Sequence, residues 1–597
     1  MPIYFRSSVA AAAMLCAAAN ADITEVAPAD AFAVANIPDI AELKASVEGS
    51  PLNDLWNHPE VQAFITAFIE DAEDEMTDDA SLDWWSELEY FDGEPITTRI
   101  LLLDHLLPDV SLGMAFWTNA EQIDDGPEII MHADFGQRAG DIQDLFDQAL
   151  DKGLEDELIT YEKDDYGPAT IYSITFTDAE FEEEFEGMGF DDTIGIDQFQ
   201  QEMYITRIGD SFLIGSSIGA VERAVDASDG DAGTLGESEQ HQAFLAQHPD
   251  DLLAYAYVRP DSLVDSLSGG TGFLFDVPMP ILDSVGITEV NSVGISMSMG
   301  GDGALVSSRI TAAMPEKTGI ATLFDLDRDG YTPPAFAGAD TAQINSLLFD
   351  FKGVFALAHK IAAGFPADEG EFYEMQITQA EGMVGPLLQV LGPNVHIVER
   401  YRMPFGFDSQ ERLIAIQLND ELAASNLITV FGGGMGLEAR QFEGSQIYES
   451  EMAPFSIGIG AGHAFIGPGE MIENAFRRAA DPGQNTLGSE PAYIAAAKEL
   501  EGTGNLIGYS NTKRVVEFSF WMLENIEEIN RKMYEEWGFE GEELEEMLAT
   551  LRENTPEFIS MLPSSEVISE IVGDQVWEMK STDEGFVLDT KLMPAAN

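Results

Sequence analysis

One order of segments occurs twice in these 597 residues, and a duplication restricts the fold more tightly than any composition does. "APADAFAVANIPDIAELK" from Ala27 returns as "AGADTAQINSLLFDFKGVF" from Ala337, each with an Ala-Asp turn (Ala29-Asp30 and Ala339-Asp340) leading into an apolar strand. "LLPDVSLGMAF" from Leu106 matches "LGPNVHIVERY" from Leu391, and "EIIMHADF" from Glu128 matches "RLIAIQL" from Arg412. "GPATIYSI" from Gly167 matches "GSQIYES" from Gly444. "GDSFLIGSSIGAVERAVDA" from Gly209 matches "GHAFIGPGEMIENAFRRAA" from Gly462, and "TLGESEQHQAFL" from Thr234 matches "TLGSEPAYIAAA" from Thr486. "LLAYAYVRPDSLV" from Leu252 pairs with "NLIGYSNTKRVV" from Asn505, and "DGALVSSRI" from Asp302 with "EGFVLDTKL" from Glu584. The offset drifts from about 310 to about 252 and back to 282, so each unit carries its own insertions while the order is kept.

The pattern within a unit is many short alternating strands joined by turns, with helices interspersed. "MYITRIG" and "SFLIGSS" flank a Gly-Asp turn, and the following helix repeats Ile218, Val221 and Val225 at helical spacing. Regular strand–helix–strand alternation is missing. The expected class is therefore α+β: two tandem homologous domains, each a mainly antiparallel sheet with packed helices. The expected boundaries are a signal peptide over 1–21, a first domain over 22–320, an acidic linker over 321–335 and a second domain over 336–597.

The run from Ile205 through Val258 ("ITRIGDSFLIGSSIGAVERAVDA…TLGESEQHQAFLAQHPDDLLAYAYV") resembles an uncharacterised family of exported bacterial proteins, a domain of unknown function frequent in planctomycetes and cyanobacteria. The matching positions are Ile208-Gly209-Asp210, Leu235, Phe244, Pro249 to Asp251 and Tyr255 to Val258, with Pro28-Ala29-Asp30 at the opening. The resemblance implies an exported bacterial protein and carries no catalytic residues with it.

The leader fits export on its own terms. Arg6 precedes an apolar alanine-rich run, and Ala19-Asn20-Ala21 is a small-x-small cleavage site. Cys16 is the only cysteine and would leave with it, which excludes disulfides, cysteine-ligated metal and thiol catalysis from the mature chain. No later run has the length of a membrane helix. A localisation in the periplasm or outside the cell follows. Against 108 acidic residues stand 28 Lys and Arg, a net charge of −80. Nucleic acid is excluded as a partner, because phosphate binding needs a basic footprint. The expected partner is an envelope protein or polysaccharide.

Motifs with chemistry occur in one copy only. Gly215-Ser216-Ser217-Ile218-Gly219 has the spacing of a nucleophile elbow, but the second unit has Gly467-Pro468-Gly469 there and no serine. The glycine runs Gly432–Gly436 and Gly458–Gly462 do not complete a phosphate loop and read as hairpin or bulge glycines. His241 and His248 are too far apart along a helix to share one ion. Asp325, Asp327 and Asp329, closed by Gly330, make the opening half of a calcium loop, with Phe336 where a bidentate Glu belongs. These three aspartates are the candidate metal ligands and Ca²⁺ the candidate cofactor. Two acidic insertions rich in aromatics, Glu180 to Asp192 and Glu535 to Glu546, and the cluster Trp84-Trp85 with Tyr90-Phe91 are candidate recognition segments. The expected function is that of an exported, non-catalytic binding or envelope-associated protein, cation-dependent through those aspartates. The alternative is a secreted hydrolase of a polymer working through paired carboxylates.

Overall fold

The computed structural model describes residues 22–66, 90–91, 94–95, 108–117, 127–155, 159–176, 202–230, 232–249, 251–260, 279–300, 303–432, 436–450, 455–481, 485–553 and 561–595. The leader, the Glu180 to Asp192 insertion and Trp84-Trp85 lie outside them.

Twenty strands form one sheet. Ten are β1 (Ala33–Ile37), β2 (Leu112–Trp117), β3 (Glu128–Asp134), β4 (Ile159–Tyr166), β5 (Ala169–Phe176), β6 (Glu202–Ile208), β7 (Ser211–Gly215), β8 (Ala254–Val258), β9 (Ser292–Met299) and β10 (Val306–Ala313). The rest are β11 (Gln343–Leu348), β12 (Leu391–Tyr401), β13 (Gln410–Leu418), β14 (Glu438–Phe442), β15 (Ser445–Glu449), β16 (Ser456–Gly460), β17 (His463–Gly467), β18 (Leu506–Ser510), β19 (Val572–Thr582) and β20 (Gly585–Pro594). The spatial order is β4-β5-β6-β7-β3-β2-β1-β8-β9-β10 and then β20-β19-β18-β11-β12-β13-β17-β16-β15-β14, with every neighbouring pair antiparallel. Adding ten to a strand's number gives the strand at the mirrored place in the other half. The architecture is mixed helix and strand on a large, open, antiparallel sheet.

The halves meet where β10 pairs with β20. Ser308 stands opposite Thr590, and 590 − 308 = 282, the offset that relates the two sequences at this point. The pairing therefore runs through equivalent residues, as a local two-fold requires. Arg309 clamps the seam. Its Nε and Nη2 reach the two carboxylate oxygens of Asp589 at 2.6 and 3.1 Å, and its Nη1 donates to the Gln247 carbonyl at 2.9 Å.

Local sequence explains the repeated elements. The β6–β7 turn needs a left-handed residue and has Gly209 at φ 62°; the β16–β17 turn has Ala461 at 52° and Gly462 at 77°. The helix Ile218–Asp229 starts on Ser217, whose Oγ accepts from the Ala220 N–H, and ends on Gly230 at φ 80°. It buries Ala220, Val221, Ala224 and Val225; the helix Gly469–Ala480 buries Met471, Ile472, Ala475 and Phe476. Each face closes a core, one around Trp117, Leu213 and Tyr257, the other around Phe336, Phe465 and Tyr509.

Several strand matches need shifting. With the offset of 310 placing Asn36 on Ser346, Gly113 falls on His396, two residues from the match at Leu106 and Leu391. Val258 falls on Ser510, one residue from the match at Leu252 and Asn505. The strand at Glu128 shifts by one as well. Glu128 lies opposite Trp117, and Glu411 opposite Arg400. Glu128 thus corresponds to Glu411 and not to Arg412. Apolar alternation alone does not set this register, and a one-residue slip exchanges the two faces of a strand. The 321–335 segment is also no free tether. Asn505 Nδ2 donates to the Phe324 carbonyl at 2.6 Å, and the Asp350 N–H to the Leu323 carbonyl at 2.8 Å, which lays the segment along the second half.

Candidate functional site

Each half places a buried polar group at the same point of its sheet. In the first, Asn36 on β1 lies opposite Gly113 on β2. In the second, Ser346 on β11 lies opposite His396 on β12. The two points are covered differently. In the first half the short helix Ile23–Val26 sits on Gly113, where an added Cβ would come within 2.5 Å of Ile23. Asp22 starts that helix by accepting from the Thr24 N–H and also accepts from Asn36 Nδ2 at 2.7 Å. Ile23 and Val26 are fully buried.

In the second half the offset of 310 that relates Ala27 to Ala337 puts Pro333 and Pro334 at the positions of Ile23 and Thr24. Proline withholds the N–H and pushes the preceding residue to extended backbone. No helix forms between Asp325 and Pro334. The segment bridges over the sheet and leaves a cavity of ≈480 Å³, whose chemistry lies in Asp327, Arg328, Asp329, Tyr331, His396 and His463.

The cavity wall is ordered by hydrogen bonds. Ser346 Oγ is 2.8 Å from His396 Nδ1 and 2.9 Å from the Tyr331 hydroxyl. His463 Nδ1 is 2.8 Å from the Ala461 carbonyl. A carbonyl only accepts, so Nδ1 carries the proton and Nε2 is a bare acceptor. The two imidazole rings lie 5.7 Å apart, with Phe336 edge-on to both. His396 is 7% exposed; burial, with His463 and Arg328 nearby, pushes its pKa down to about 3. Burial also lowers that of His463. Both rings are neutral at pH 7.

Arg328 is the only Lys or Arg among the residues lining the cavity. Its Nη2 donates to the Ser346 carbonyl at 3.3 Å, its guanidinium carbon lies 5.2 Å from the Tyr331 ring centre, and its enclosed Nε has no partner. Burial lowers its pKa, and the field of Glu578 works against that. Glu578 is itself spoken for: backbone N–H groups of Glu501, Gly502, Thr503 and Gly504 donate to it.

The three candidate metal ligands are not brought together. Asp325 pairs with Lys317 at 3.1 Å and accepts from Ser581, and these contacts, Ser581 first, hold its carboxyl below the usual range. Asp327 and Asp329 line the cavity. Among the described residues no group of three or more His, Cys, Asp or Glu is placed to hold a metal ion.

The other motifs resolve as architecture. Ser216 accepts from the Ile129 N–H, while Ser217 caps its helix and bonds Glu128 at 3.1 Å. Neither serine meets an imidazole. His241 is enclosed by Phe244, Tyr255 and Tyr257, and His248 lies between Ser296 and Thr311 at 2.6 and 3.1 Å. Gly432 ends the helix Glu421–Gly432, and Gly458 to Gly462 make β16 and its turn. The Glu535 to Glu546 insertion runs from the end of helix Ile526–Glu536 through a bend into helix Glu542–Glu553. Arg531–Glu545 at 2.6 Å ties it, and Trp537 is left 65% exposed. Tyr90-Phe91 pairs with Glu94-Pro95 in a small separate hairpin. Sequence reasoning passed over His396, His463 and Arg328. The signal that marked their place was the pair of prolines interrupting the calcium-like loop.

No family model matches the chain, and no curated protein does. Among solved structures it is similar to "Structure of crystal form I of TP0453", at 12% identity over 45% of this chain and 81% of that one, with a TM-score of 0.23. Likeness at that level carries neither fold nor function to this chain. Among the described residues no helix is long and apolar enough to cross a membrane.

Proposed function

We propose that this chain is a tandem duplication of one α+β unit, exported and envelope-associated, that binds a small ligand without transforming it. The observation that carries this reading is the unequal covering of equivalent points: one unit is plugged by its own helix, and the other keeps a walled cavity. Its volume lies within the range of small-molecule sites. Duplication followed by opening of one copy is an economical route to a binding protein, because the closed copy preserves the shared sheet.

The non-catalytic part rests on the serine–imidazole pair at the cavity. Ser346 is fully buried, and an imidazole with a pKa near 3 is a poor proton acceptor at neutral pH. A divalent cation on the Asp325–Asp329 segment would act as a clamp and not as a reagent, and it would have to draw Asp325 away from Lys317 and Ser581.

Native mass spectrometry of the protein purified from its own cell envelope tests the proposal. A small-molecule mass should ride on the wild type and be absent from Asn394→Trp, which fills the cavity. Identical ligand-free masses for both would defeat it. Melting curves with 1 mM calcium or EDTA test the clamp separately, and superimposable curves remove calcium from the account.

A further inference from the structure

The cavity contains both signs of charge at different depths. Arg328 is half-buried with its Nε enclosed, whereas Asp327 and Asp329 are exposed. Both aspartates are chain neighbours of Arg328, yet no carboxylate among the described residues comes within ion-pair distance of its guanidinium. Elsewhere arginines are satisfied even at the surface: Arg440 takes Glu449 and Glu473, and Arg478 takes Asp340. With 108 carboxylates in the sequence, an arginine held apart from them is informative. An enclosed N–H without a partner is costly, and a planar guanidinium matches a carboxylate in two parallel hydrogen bonds.

From this placement of charge we infer that the cavity takes a small zwitterion, an amine-bearing carboxylate the size of a free amino acid, with its carboxylate inward at Arg328 and its ammonium outward at Asp327 and Asp329. The inference rests on the binding role proposed above and names its ligand class. His463 Nε2, a bare acceptor, suits a second N–H or hydroxyl on the ligand. Leu326, Leu348 and Pro393 supply an apolar wall for its side chain. A simple anion would meet repulsion from both rim aspartates, and a simple cation would leave Arg328 unanswered.

The test uses the full chain and four kinds of probe: the free amino acids as zwitterions, sodium acetate as an anion alone, ethylammonium chloride as a cation alone and benzyl alcohol as a neutral molecule. Ring signals of His396 and His463 report occupancy, and calorimetry reports affinity. At least one amino acid should move both ring signals and bind about tenfold or more tighter than acetate or ethylammonium, as a charge-assisted pair at each end requires. Arg328→Gln should abolish that binding, and Arg328→Lys, which keeps the charge and checks the fold, should retain part of it. The double variant Asp327→Asn with Asp329→Asn should bring the amino acid down to the level of acetate. Acetate binding as tightly as every amino acid, or an unchanged affinity in the double variant, overturns the zwitterion. Ring signals that respond to ethylammonium or to neutral benzyl alcohol alone overturn the ligand class while leaving a binding cavity in place. Silence from every probe overturns both.

Discussion

The Gly113 point in the first half and the His396 point in the second occupy the same place in the same strand order, yet one is sealed and the other is open. The sheet beneath differs little. The difference lies in ten residues laid over it. Where Asp22 caps a helical turn by accepting from the Thr24 N–H, Pro334 has no N–H to offer a cap and pushes Pro333 to extended backbone. Backbone chemistry in a covering segment therefore decides whether one strand order, met twice in the sheet, offers a site. A second contrast repeats the lesson in polar form. Buried Glu128 accepts from the Trp117 indole at 2.5 Å, whereas its counterpart Glu411 accepts from Arg400 at 2.6 Å. A neutral donor holds the acid in one half, and a cation holds it in the other.

The largest expected separation between the halves is with acid. Burial pushes His132, His241 and His248 of the first half down to about 4; in the second it pushes His396 to about 3 and lowers His463 as well, three rings against two. An unfolded histidine titrates near 6.5. Below that pH the unfolded chain binds more protons than the folded one. Stability is thus complete above about pH 6.5 and drains as the pH falls, until these folded-state values are passed, by at most about 3 kcal/mol for each ring near 4 and about 5 kcal/mol for His396. Hydrogen exchange at pH 4.5 should show the first half losing protection before the second. Equal loss in both would contradict the assignment, and His241→Phe should weaken the response.

Next in size, Gly113→His gives the first half the residue of the second. The ring cannot coexist with Ile23, so the variant should lose about 3 kcal/mol in urea unfolding and expel the Ile23–Val26 helix. A loss under about 0.5 kcal/mol would mean that the helix is not a plug. The paired acids come after that. Arg400→Met strands a buried carboxylate and should cost about 3 kcal/mol, somewhat relieved by Arg402 at 3.6 Å. Trp117→Phe removes one neutral donor and should cost about 1 kcal/mol. The reverse ranking would show that the two sites are not held as described. At the seam, Arg309→Ala should cost about 1 kcal/mol, since the pair is a third exposed, and should raise proteolysis between the halves; unaltered digestion would argue for a rigid joint without it. Smallest is Asp30→Asn, which breaks the surface pair with Arg223. It should change stability by less than about 0.5 kcal/mol, as should Asp340→Asn in the other half.

Much of the scaffold could be read before the structure. Glycines at Gly209 and Gly462, the Thr-Leu-Gly steps at Thr234 and Thr486, and helical spacing after Ile218 mark local geometry, and local geometry writes itself into sequence. The Thr-Leu-Gly steps form matching bridges, Pro28 to Thr234 and Gly338 to Thr486. Register was harder. Glu128 stands one residue, and Gly113 two, from the counterparts that the apolar pattern suggests, because alternating apolar residues look alike when slid. The continuous sheet was not foreseen, since nothing local in β10 or β20 announces a strand 282 positions away. The cavity escaped for a related reason. Its histidines come from β12 and β17, which β13 separates, and its arginine from a segment that looked like a calcium loop. Only the third dimension gathers them.

The β10–β20 junction also has a consequence for how the molecule comes to be. Residues 308 and 590 must find each other across the whole second half, so the middle of the sheet is the part with the longest loop to close. The pairings within each half close shorter loops and can form before that happens. During the interval β10 and β20 are open edges of equivalent strands, and an edge that accepts its counterpart within the chain will accept the counterpart on another chain as well. Exchange of halves between molecules is thus the characteristic error of this architecture. Refolding at high protein concentration should yield closed dimers whose abundance falls on dilution.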